Sequence, residues 1–181
     1  MRISETIPLE HAGWRPDRIL RRGDTVLFEL GASVRRYHAP TSQIIYIGQG
    51  PAGIEESSKV VLAGLEAARA ALRPGVPAED VYAAWQDAVD TGLGRSGYRR
   101  HHCGYLTGLG FAPTWMTGGS DLAGLRPGST FTVREGMVFH LMSWLLGQEL
   151  PDYGVSDTAV VTGTGCELLT ATPRAPTVLP A

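Results

Sequence analysis

The feature that most constrains this chain is a central stretch of helical periodicity set between two blocks of strand-like sequence. From Ile54 to Leu72 the apolar residues Val61, Leu62, Leu65, Ala68 and Leu72 recur at the helical spacing, and Pro74-Gly75 ends the run. Pro77-Ala78-Glu79-Asp80 opens a second helix with Val81, Ala84, Trp85 and Ala88 on one face and Gly92 and Gly94 at its end. Before the pair, the Arg22-Gly23-Asp24 turn leads into Thr25–Leu30, an apolar run ending at Gly31, and a return strand is expected within Arg35–Ile47, interrupted at Pro40. After it, Met137–Leu146 and Val155–Thr162 read as apolar strands, with a short one at Glu167–Leu169. Strands on both sides of a helix pair predict an α+β fold, a curved antiparallel sheet with the helices on one face.

Length permits one such domain. The chain has 181 residues, of which 43% are hydrophobic and 19% charged, a balance that excludes a disordered or fibrous chain. We expect one domain over residues 1–171 and a loosely ordered proline-rich tail over 172–181. The net charge of −2 and the lack of a basic stripe exclude nucleic acid as a partner. No apolar run approaches the roughly 20 residues of a membrane span, and Glu5 and Glu10 replace the apolar core of a signal peptide. A soluble, cytoplasmic protein is the expectation. Cys103 and Cys166 have no metal-ligand spacing and read as reduced thiols.

Chemistry concentrates on the strands and the glycine-rich segment Gly104–Gly110. A carboxylate in the middle of a strand, Glu29, is costly to bury unless paired, hydrogen-bonded or used; a structural ion pair with Arg35 or Arg36 is the plainer reading. His11, Tyr37, His38, Tyr105, His140 and Asp157 lie at or beside predicted strands, where each taken singly reads as a structural residue. His101-His102-Cys103 suggests a thiol beside an imidazole, but sequence neighbours rarely face one another on a strand.

The order of these segments resembles a known family. His11-Ala12-Gly13-Trp14, Arg22-Gly23-Asp24, Glu29-Leu30-Gly31-Ala32, Arg36-Tyr37-His38-Ala39-Pro40, the helix pair, Gly104-Tyr105-Leu106-Thr107-Gly108-Leu109, Gly136-Met137-Val138-Phe139-His140 and Val155-Ser156-Asp157-Thr158 are similar to the pita-bread hydrolases. That family includes methionine and Xaa-Pro aminopeptidases, prolidase, creatinase and ectoine hydrolase. The resemblance implies the pita-bread fold, here without the N-terminal domain and leading helices of the family, so that an uncovered sheet face would favour a homodimer. Its peptidases hold two metal ions through five side chains, and the matching positions here are Glu29, Pro40, Tyr105, Met142 and Ser156. Of these only Glu29 is a ligand for a hard cation, so no metal and no other cofactor is expected. Ser42-Gln43 also stands where an arginine is common in the family.

By resemblance the chain sits closer to the metal-independent creatinase and ectoine-hydrolase branch, which opens small cyclic or amidine substrates. That likeness implies His11 as proton shuttle, Glu29 as nucleophile or general base and Asp157 as its partner, with Tyr37, His38, Tyr105 and His140 binding a small substrate. Two other readings stand beside it: a non-catalytic module that keeps the fold for binding, and an Xaa-Pro-type metallopeptidase.

Overall fold

A computed structural model describes residues 19–111, 114–116 and 124–181. Its elements are β1 (Thr25–Val34), β2 (Tyr37–Ile47), α1 (Ile54–Ala71), α2 (Ala78–Leu93), β3 (Gly104–Thr107), β4 (Val138–Leu145), β5 (Tyr153–Val161), β6 (Cys166–Leu168) and β7 (Thr177–Leu179). The α+β organisation and the helix pair follow the sequence periodicity. The strands form one sheet in the order β1-β2-β5-β4-β3, with β6 against β5 and β7 against β2.

Three local features depart from expectation. β1 runs four residues beyond Leu30, because the hairpin turns at Arg35-Arg36, both with positive φ (51° and 72°). That is the conformation of a two-residue turn matched to strand twist, built here without glycine. Pro40 does not break β2. It pairs with Gly31 inside a continuous ladder, and it lies outside the stretch of β2 that pairs with β5, which is Ser42-Gln43. The segment after Thr172 is not loose either: Thr177–Leu179 pairs in parallel with Ile45–Ile47, and the Gln43 amide donates to the Pro173 and Ala175 carbonyls.

The core lies between the sheet and the helices. Val61, Leu65, Ala68, Val81, Trp85 and Val89 pack with Phe139, Leu141, Leu145, Tyr153 and Val155. Gly64 makes the close approach possible, since a Cβ there would stand within 2.9 Å of Val89, Trp85 and Ser143. The Trp85 indole N–H donates to Ser143 Oγ at 2.9 Å, which satisfies two buried polar groups at once. With odd-numbered β4 residues turned to the helices, the even-numbered ones face the other side of the sheet. That is where the polar residues collect.

Candidate active site

Register decides which residues share this second face. Glu29 pairs with Ser42, Ser42 with Ser156, Ser156 with Met142, and Tyr105 with His140, two positions from Met142 on β4. Directly opposed residues point to the same side, so Glu29, Ser42, Ser156, His140, Met142 and Tyr105 line one surface. Pro40, paired with Gly31 two positions along, joins them.

A continuous hydrogen-bond chain crosses this surface. Ser42 Oγ and Ser156 Oγ are 2.7 Å apart, Ser156 Oγ and His140 Nε2 2.6 Å, and His140 Nδ1 and Tyr105 Oη 2.9 Å. The Trp115 indole N–H then donates to Tyr105 Oη at 3.0 Å. Burial keeps the imidazole uncharged, with the His140 pKa pushed down to about 3 first by desolvation and then by His102. A neutral imidazole has one donor and one acceptor, so the chain has a direction, and reversing it moves one proton along each link. The Tyr105 phenol is pushed up to about 12, mainly by burial, with the Trp115 hydrogen bond opposing and the charge of Glu29 adding to the rise. It is a neutral hydrogen-bond donor at ordinary pH.

The remaining candidates are placed differently. Glu29 is half-buried on the outer strand β1, not enclosed in the middle of a sheet. His38 shares the face of Glu29 by register, and its Nδ1–H donates to the Gly108 carbonyl at 3.3 Å. Tyr37 is 63% exposed, bridges to Leu109 and alternates to the opposite face. His11 lies outside the described residues. Asp157 is fully buried but pairs with Leu141, so it turns to the face that Glu29 does not share. There it accepts from Thr170 Oγ1 (2.7 Å) and from the Thr172 hydroxyl (2.8 Å) and amide (3.2 Å), and it pairs with Arg174. The structure therefore separates Asp157 from Glu29, against the expectation that it orients that carboxylate. Cys103 is buried in the core with its thiol pKa raised by desolvation, so it offers no thiolate.

Sequence reasoning missed Trp115, which stands in a loop with no periodicity. One hint was present: Gly31, inside a strand, marks a close approach. A Cβ on Gly31 would lie 3.1 Å from the Trp115 ring.

Comparison with known proteins joins this geometry to a family. Residues 5–163 match metallopeptidase family M24. The chain belongs to that family. Among curated relatives, the ectoine hydrolase of Halomonas elongata is 32% identical over 167 residues, 91% of this chain and 39% of that protein. An uncharacterised hydrolase/peptidase of Sinorhizobium fredii is also 32% identical, over 87% of this chain and 38% of its own length. The dipeptidase PepE of Mycobacterium ulcerans superposes with a TM-score of 0.76 at 25% identity, covering 91% of this chain and 42% of that one. The M24 pita-bread fold, a curled antiparallel half-barrel with two helices, is thus the fold of this chain. The chain spans about two fifths of the length of these curated relatives.

Membership of M24 implies a metal centre, and the side chains can be tested against it. By resemblance, the positions that match the ligands hold Glu29, Pro40, Tyr105, Met142 and Ser156. Proline offers no side-chain donor, a thioether is a poor partner for a hard cation, and Ser156 and Tyr105 are already engaged with His140. Among the described residues no three of His, Cys, Asp and Glu converge to hold an ion. These side chains do not fit a dinuclear centre. No helix among the described residues is long and apolar enough to cross a membrane.

Proposed function

We propose that this M24 protein is a hydrolase that opens a carbon–nitrogen bond in a small molecule without metal, in the manner the likeness to ectoine hydrolase suggests. The observation that supports this reading is the hydrogen-bond chain Ser42–Ser156–His140–Tyr105, which engages Ser156 and Tyr105, two of the positions matched to metal ligands.

In this reading Glu29 is the nucleophile or general base, since it is the carboxylate on the polar face and is half-buried, within reach of a ligand. Tyr105 and His140 act as uncharged groups: the phenol donates a hydrogen bond to an oxygen or nitrogen that gains negative charge, while the imidazole, its Nδ1–H on the phenol oxygen and its Nε2 accepting from Ser156, holds that donor in place. His11 shuttles the proton to the leaving nitrogen. His38 borders the substrate beside Gly108, and Tyr37, on the outer face, takes no part in binding. Asp157 anchors the C-terminal segment. The partners of the chain are a small substrate and a second copy, and its place is the cytoplasm.

A specific observation favours a second reading, a binding module without turnover. His140 and Ser156 are completely buried and Ser42 is 2% exposed, as a relict network would be. Screening ectoine-like, creatine-like and Xaa-Pro compounds for hydrolysis separates the two. Turnover of any of them supports the enzyme, and saturable binding without turnover supports the module.

A further inference from the structure

The Trp115 indole touches both ends of the five-strand path. Its Nε1–H donates to Tyr105 on β3, and its six-membered ring lies against Gly31 on β1. Strands β4, β5 and β2 lie between those two. Gly31 stands opposite Pro40, Pro40 beside Thr158, Thr158 opposite His140 and His140 opposite Tyr105, so a side chain in contact with both outer strands of a curled sheet crosses the hollow above Pro40, Thr158 and His140. The backbone around it is tied down: Thr107 Oγ1 donates to the Trp115 carbonyl at 2.8 Å, and Met116 bridges to Thr107. His140, in that row, is completely buried.

We propose that Trp115 stoppers the concave face and decides which molecules reach Glu29, Tyr105 and His140. This rests on the reading of that face as the active site, but the stopper itself is a matter of geometry. The indole N–H bond to Tyr105 joins two neutral groups, and Gly31 offers the ring no side chain to grip. What enters must replace the indole: a small planar group fits the space it leaves, and a bulky one does not. Gly31 is part of the device. Its φ is not in the left-handed region, so a side chain there would press on the ring and would not strain the backbone.

Carbethoxylation by diethyl pyrocarbonate, mapped by mass spectrometry, tests this without any substrate. The reagent attacks neutral imidazoles. Exposed His101 serves as the reference and buried Cys103, labelled with a thiol reagent, reports loosening of the core. In the wild type His140 should react at least 100-fold more slowly than His101. Trp115→Ala should raise its rate tenfold or more, with His101 and Cys103 unchanged, and millimolar free indole should restore protection. Gly31→Leu, whose side chain needs the space the ring fills, should raise the rate several-fold and decides the matter if Trp115→Ala also exposes Cys103. The proposal is overturned if His140 stays protected in both variants, or if it already reacts like His101 in the wild type. Failure to find a hydrolysed substrate would count against the enzymatic reading and leave these rates as they are.

Discussion

Asp157 Oδ2 and Arg174 Nη1 lie 2.7 Å apart, joining β5 to the C-terminal segment on the face of the sheet turned away from Glu29. The carboxylate is fully buried, and Arg174 is 35% exposed. Removing the acid leaves the Thr170 hydroxyl and the Thr172 amide without their acceptor and frees Arg174, which water reaches in part, whereas removing the arginine leaves a fully buried carboxylate without its countercharge. Asp157→Ala should therefore cost about 2 kcal/mol in urea unfolding and Arg174→Ala about 3 kcal/mol. Both variants should be cleaved more readily by protease beyond residue 170. A large loss of turnover with unchanged stability in Asp157→Ala would instead return Asp157 to the chemistry.

Loss of stability in acid follows from two desolvated imidazoles. His140 and His102 are both pushed down to about 3, mainly by desolvation, while in the unfolded chain each takes a proton below about pH 6.5. Between those values the unfolded state binds more protons, so stability rises with pH. The contribution is fully present above pH 6.5 and is lost as pH falls towards 3, at about 1 kcal/mol per pH unit for His140. Thermal unfolding across pH 4 to 8 should show this slope, and His140→Gln should lessen it. An unchanged slope in that variant would mean that His140 titrates normally.

Phe28, Leu30 and Val34 alternate on the outer face of β1 and are 42%, 57% and 72% exposed. A groove of about 480 Å³ beside them is walled by Pro173 and Leu179 of the C-terminal segment. Contiguous apolar surface of this kind is normally covered. We expect a twofold dimer at micromolar concentration, with Phe28→Ser/Leu30→Ser shifting light scattering towards the monomer. A well-folded wild-type monomer under those conditions would contradict the expectation.

Much of the scaffold was legible in the sequence because its signals are local. The periodicity of Val61 to Leu72 and of Val81 to Ala88, and the apolar runs around Ile44 and Phe139, each identify an element within a dozen residues. The site was legible only in part. Glu29, Tyr105 and His140 come together because register pairs their strands, but Asp157 follows Ser156 directly, and one position along a strand is enough to put a side chain on the other face. The C-terminal segment was read as loose because its partners, Gln43 and Asp157, lie far away in sequence, and prolines alone carry no sign of them. The stopper at Trp115 depends on a loop crossing the hollow of the sheet, for which the sole local sign is a glycine within β1.

The most direct test of metal-free catalysis by Glu29 is turnover of the carbon–nitrogen substrate panel in the presence of chelator, for wild type and Glu29→Gln. Glutamine keeps the shape and removes the charge, so folding should survive while the transition state loses its nucleophile or base. The account predicts hydrolysis that is unaffected by chelator in the wild type and reduced by at least 100-fold in Glu29→Gln. Activity abolished by chelator and restored by added divalent metal, or turnover unchanged in Glu29→Gln, would contradict it.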